Sequence, residues 1–130
     1  MKLTDLKPGD WVKVDDEGVI REGTVVRVST EEHEVCIDNG IQEFWYNLEH
    51  IGAIELDVTQ LKRLGFEPHE TDTGAKYGKG PFRIAVPAIN DFSKSELWYR
   101  DDHRHFDRPL MVHELQNLYL QMTKVPLAAD

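Results

Sequence analysis

Four short runs of alternating apolar and polar residues, each cut off by turn-forming residues, constrain the first half of this chain more than any other feature. Pro8-Gly9-Asp10 makes a turn. Trp11-Val12-Lys13-Val14 follows, with Val12 and Val14 on one side and Trp11 and Lys13 on the other, the period of a half-buried strand. Asp15-Asp16-Glu17-Gly18 ends that run, and residues 21–28 form a second, β-branched one with Gly23 at an expected bulge or bend. After a polar turn over residues 29–33, residues 34–37 read as a third strand. Asp38-Asn39-Gly40 then signals a tight hairpin, because Asn-Gly tolerates positive φ at both turn positions, and residues 41–46 return across it. Short strands with turns at this spacing suggest a small barrel.

Pro8-Gly9-Asp10-Trp11-Val12-Lys13-Val14 followed by Gly23-Thr24-Val25-Val26-Arg27-Val28 resembles the opening of SH3-like barrels of the KOW and translation-protein type, over about residues 5–51. That resemblance implies a fold and leaves function open, since such barrels bind RNA, peptides, partner domains or nothing.

The second half opens with a capped helix. Asp57-Val58-Thr59-Gln60 has capping spacing, Leu61 and Leu64 supply an apolar stripe, and Gly65 fits the stop. Residues 66–70 and 75–77 read as strands around a turn at 71–74. Residues 81–87 form a stronger strand with Phe82, Ile84 and Val86 on one face, and residues 95–100 pair with 103–106 across Asp101-Asp102. A closing helix is expected over residues 108–123. Pro109 lies in its first turn, Met111, Leu115, Leu118, Tyr119 and Met122 on its buried face, and His113, Glu114, Gln116, Asn117 and Gln121 are left for solvent or a partner. Leu64-Gly65-Phe66, Tyr77-Gly78-Lys79-Gly80-Pro81-Phe82 and Val112-His113-Glu114-Leu115-Gln116-Asn117-Leu118-Tyr119 resemble small uncharacterised Bacteroidetes proteins of prophage or mobile-element settings, over about residues 50–125. This likeness implies a source and a fold unit, and no activity.

The expectation is therefore an α+β chain: an SH3-like β-barrel over residues 1–56, packed on a small α+β domain over 57–130 made of a helix, antiparallel strands and a closing helix. At 130 residues, neither half is large enough to bury much surface alone. The charge of −9 is lopsided. Residues 1–57 hold 5 Lys and Arg against 14 Asp and Glu, whereas residues 58–130 hold 10 of each. An acidic surface repels phosphate backbones, which counts against nucleic-acid binding by the first half. The opening residues lack an apolar signal-peptide core, and no run approaches the about 18 apolar residues of a membrane span. Cys36 has no internal partner and suits a reducing compartment, so a cytoplasmic location without membrane attachment is expected. A buried, inert thiol is the expected state of Cys36.

Two motifs invite chemistry. The glycines from Gly74 to Gly80 miss the phosphate-loop spacing and lack a Ser or Thr after Gly78-Lys79, so a β-turn accounts for them better. Asp101-Asp102-His103-Arg104-His105-Phe106-Asp107 is a metal candidate. In an extended strand His103 and His105 share a face, with Asp107 and Asp101 as further ligands and His113 and Glu114 following on the helix. Arg104 and Arg108 oppose a cation there. No nucleophile–base arrangement is assignable. Enzyme is the minority reading, in the form of a metal-dependent hydrolase or nuclease using His103 and His105, and no cofactor is expected.

The aromatics support a different reading. In Phe44-Trp45-Tyr46 the middle ring faces away from its neighbours, so a one-sided core cannot bury all three. Trp11, and Trp98 with Tyr99 and Arg100, pose the same question: each either fills a core or lines a binding surface. The leading reading is a non-enzymatic, protein-binding interaction module. Its partner is an unidentified protein or a second copy of the chain, held by exposed aromatics or by the polar face of the closing helix. A third reading places nucleic acid on the second half, using Arg83, Arg100, Arg104 and Arg108 beside Trp98 and Tyr99.

Overall fold

The computed structural model describes residues 1–71 and 74–127. Among them are two five-stranded antiparallel sheets and two α-helices, an α+β chain. The contacts divide it into two units, Met1–Ile54 with Val112–Asn117, and Glu55–Met111 with residues 118–127.

In the first unit β1 (Trp11–Asp16), β2 (Val19–Ser29), β3 (Glu34–Asp38) and β4 (Glu43–Asn47) form a meander. The short β5 (Ile51–Gly52) returns to pair with β1, giving the order β4-β3-β2-β1-β5 and a curled sheet. The alternation read from sequence sets the inner face. Val12, Val14, Val25, Val35, Ile37, Tyr46 and Ile51 are buried with Leu6 in one cluster, and each aliphatic side chain so buried contributes about 1.5–3 kcal/mol.

The bulge in β2 falls between Val25 and Arg27, where the register with β3 shifts, and not at Gly23. Gly23 pairs in register with Val12 and serves a closer approach: a Cβ there would lie 2.5 Å from Ile37 Cγ2 and 2.9 Å from the Asp38 carbonyl. The β3–β4 connection is also longer than the two-residue hairpin expected at Asn39-Gly40. Gly40 alone of that pair has positive φ. Asn39 is buried instead, accepting from the Ile41 and Gln42 N–H groups and donating to the Tyr46 hydroxyl at 2.9 Å.

Helix α2 (Val112–Thr123) starts four residues later than its periodicity suggests. Met111 is held in a β-bridge with Glu55, and the Leu110 carbonyl accepts from Leu56 N–H, so this stretch is extended. Within the first unit, the opening turns of α2 bind the residues that lead into β1. Gln116 Oε1 accepts from the Trp11 N–H at 2.8 Å while its Nε2 donates to the Gly9 carbonyl at 3.0 Å. Asn117 Nδ2 donates to the Asp10 carboxylate, which also accepts from the Lys7 N–H. His113 and Gln116, expected to face solvent or a partner, are buried, and His113 Nδ1 has no hydrogen-bond partner among the described residues.

The second unit holds α1 (Val58–Arg63), capped by Asp57 Oδ1 accepting from the Gln60 N–H at 2.8 Å and ended at Gly65 with φ 87°. Five strands follow in sequential pairing: β6 (Glu67–Thr71), β7 (Gly74–Lys79), β8 (Phe82–Val86), β9 (Ser95–Tyr99) and β10 (Asp102–Phe106). The centre of the turn expected at 71–74, Asp72 and Thr73, lies outside the described residues. On the inner face Phe82 meets Tyr119 of α2 at 4.8 Å between ring centroids and Phe66 at 6.0 Å.

Two outcomes follow from the grip of α2. Gln116→Ala strips partners from the Trp11 N–H and the Gly9 carbonyl and is expected to cost about 2 kcal/mol in urea denaturation. Asp10 is buried, and that burial raises its carboxyl pKa above 3.8 despite the N–H and amide donors that act against it. An acid whose pKa is raised by folding loses stability as pH climbs from its unfolded value through its folded one. The stability of Asp10→Asn relative to the parent is therefore expected to improve as pH rises from below 3.8 toward neutral, read from denaturation midpoints.

Candidate functional site

β4 is one edge of the first sheet, the short β5 being the other. The β4 strand pairs with β3 alone among the described residues, in the register Val35↔Tyr46, Cys36↔Trp45 and Ile37↔Phe44. Tyr46 points into the core. Phe44 lies on the same side, 5.2 Å from the Tyr46 ring, yet stays 50 % exposed because the core ends before it. Trp45 lies on the opposite side, 39 % exposed. Both sides of one edge strand thus present an aromatic ring, and Ile41 just before it is 72 % exposed. Natural edges are ordinarily blunted by charged side chains, proline or a bulge, and Glu43-Phe44-Trp45-Tyr46-Asn47 has neither proline nor bulge and one charge, Glu43. Such an edge offers main-chain hydrogen bonds to an added strand and ring surface to its alternate side chains.

Beneath Trp45, Cys36 stands between Arg27 and Trp45 in one cross-strand row and is 2 % exposed. The Arg27 guanidinium lies 5.8 Å from the Trp45 ring centroid, in reach of the ring quadrupole. The thiol is free and buried.

The remaining candidates are dispersed. Trp11 is half-buried, its N–H taken by Gln116. In the second unit the two-residue period splits Trp98 from Tyr99. Tyr99 faces inward, 6.4 Å from Phe82, with Arg100 5.3 Å from its ring. Trp98 faces outward, 39 % exposed, and stacks on His103 directly across the strand pair, at 3.6 Å and 11°. Of the four arginines grouped with these rings, Arg83 shares the Trp98 face by register. Arg104 lies on the other face, bound to Asp102 and Gln121, and Arg108 stands 5.9 Å from the Phe106 ring.

His103 and His105 do share an exposed face, joined there by Glu96, a residue the local motif did not include. Glu96 Oε1 lies 3.8 Å from His103 Nε2 and 3.5 Å from His105 Nδ1, and Asp107 Oδ1 lies 2.7 Å from His105 Nε2. Among the described residues no group of three or more His, Cys, Asp or Glu is gathered as a metal-holding set. The glycines at 78 and 80 belong to β7 and the β7–β8 turn, with no strand-to-helix step beside them. Gly78 gives room for the Arg83 guanidinium and His69, which a Cβ would meet at 2.7 and 2.9 Å.

No helix among the described residues is long and apolar enough to cross a membrane. No protein-family model, curated protein or solved structure matches the chain.

If Trp45 shields the thiol, Trp45→Ala speeds labelling of Cys36 by a soluble disulfide reagent by about an order of magnitude, with little change in the unfolding midpoint. An unchanged labelling rate would place the shield elsewhere.

Proposed function

We propose that this chain is a non-catalytic protein-interaction module, that its first unit is an SH3-like barrel, and that it receives an extended polypeptide segment along the free edge of β4. The barrel reading is supported by the return of β5 to β1, which curls a five-strand meander back on its first strand, and by the bulge at Val26 that bends β2.

The observation that carries the binding reading is the pair Phe44 and Trp45, exposed on opposite sides of an edge strand whose one charge, Glu43, lies at its start. Two exposed rings on a five-residue strand oppose solubility unless they are used, because exposed apolar edges template pairing with other chains. Strand addition fits both features at once. The backbone supplies affinity and the two rings read alternate side chains. The closing helix contributes less to such a surface than its polar sequence suggests, since Gln116 and Asn117 spend their amides on residues 5–11.

Selection of a random-peptide display library on the intact chain tests this. Extended sequences with alternating apolar residues should be enriched, and Phe44→Ala with Trp45→Ala should lower their affinity about a hundredfold, as expected for aromatic anchors. Enrichment that ignores both substitutions, or none at all with a folded target, removes the reading.

A further inference from the structure

The edge reading says where a segment would lie, and the charges around β4 say what kind. Residues 1–54 carry five Lys and Arg against twelve Asp and Glu. On the solvent side of the sheet, Asp38 of β3 and Glu43 of β4 stand directly opposite each other. Like charges in that position destabilise a strand pair. Both side chains are exposed, and among the described residues neither is in an ion pair. Asp38 is partly occupied by the Gly40 N–H at 2.9 Å, a bond that leaves its charge in place. Glu34 continues the acidic character at the other end of β3. Arg27, in the cross-strand row through Cys36 and Trp45, is already over the Trp45 ring, and Arg21 of β2 is paired with Asp16.

Resting on the edge-strand reading, we infer that the segment β4 receives is basic, with a Lys or Arg placed opposite or diagonal to Glu43. A strand added beside β4 brings its side chains to about 5 Å from those of β4. A cation there relieves the Asp38–Glu43 repulsion, which an uncharged segment leaves standing and an acidic one worsens. The same charges argue against a second copy of this chain as the occupant. Two β4 edges side by side would bring Glu43 and its acidic surroundings against their own kind. At longer range the excess of carboxylates attracts a basic partner before contact and raises its rate of association.

The test uses the intact protein and three probe peptides of alternating Val and Thr, ending in Lys, Gln or Glu, followed by the amide shifts of residues 43–47. The Lys-ended peptide is expected to bind at least about tenfold more tightly than the Gln-ended one at low salt, with the ratio shrinking toward one as salt screens it. The double variant Asp38→Asn with Glu43→Gln should lose that preference, binding the Lys-ended and Gln-ended peptides alike. Equal affinity for Lys and Gln ends, or a preference that survives the double variant, overturns the basic-partner inference and leaves the edge reading standing. Self-association of the protein through shifts at residues 43–47 also overturns it. Failure of all three peptides to move those amides defeats the edge reading itself.

Discussion

The side chain of Gln116 does the work of a missing piece of strand. β5 is two residues long and pairs with Lys13 and Val14, so it ends before reaching the start of β1. The Trp11 N–H and the Gly9 carbonyl lie beyond its reach. Gln116 accepts from one and donates to the other, the pattern by which one residue of a parallel strand grips its neighbour. A buried amide can fill this role because it carries an acceptor and two donors on one planar group. Asn117 beside it ties down the Asp10 carboxylate and the Asp5 carbonyl. The entry into the first sheet leans on these two helix residues.

That dependence explains which parts of the fold were legible. The inward positions of β1 and β8 were visible because a period of two sorts Val12 from Lys13 or Ile84 from Arg83 with no knowledge of partners. The α1 cap and stop were visible because both signals are local. Burial of His113 and Gln116 was hidden: the helical period marks an apolar face, and α2 also buries polar groups, of which Gln116 has its partners more than a hundred positions away. Asn39 was misread for a related reason. Asn-Gly favours a tight turn locally, but the Tyr46 hydroxyl offers the amide a buried partner, and a longer loop results.

The candidate surface shows the same division. The conflict within Phe44-Trp45-Tyr46 was plain in the sequence, since three successive rings cannot share one face. Which ring lost the core was not, because that depends on where Tyr46 finds its partners and on β4 lying at the edge of the sheet. Trp98 and Tyr99 obeyed the alternation and parted company. The place of Glu96 beside the two histidines came from strand pairing, which no local motif contains.

The grip of α2 on residues 5–11 also sets an order of events during synthesis. The strands of the first sheet leave the ribosome early, but the amides that complete the entry to β1 belong to residues 116 and 117. Until residues 116 and 117 have emerged, the Gly9 carbonyl and the Trp11 N–H lack the Gln116 amide. The strands of the first unit are therefore made well before the helix residues that hold the entry to β1. Contacts of such long sequence separation are closed late and slowly, so the exposed β4 edge is present on the nascent chain well before its own sheet is finished.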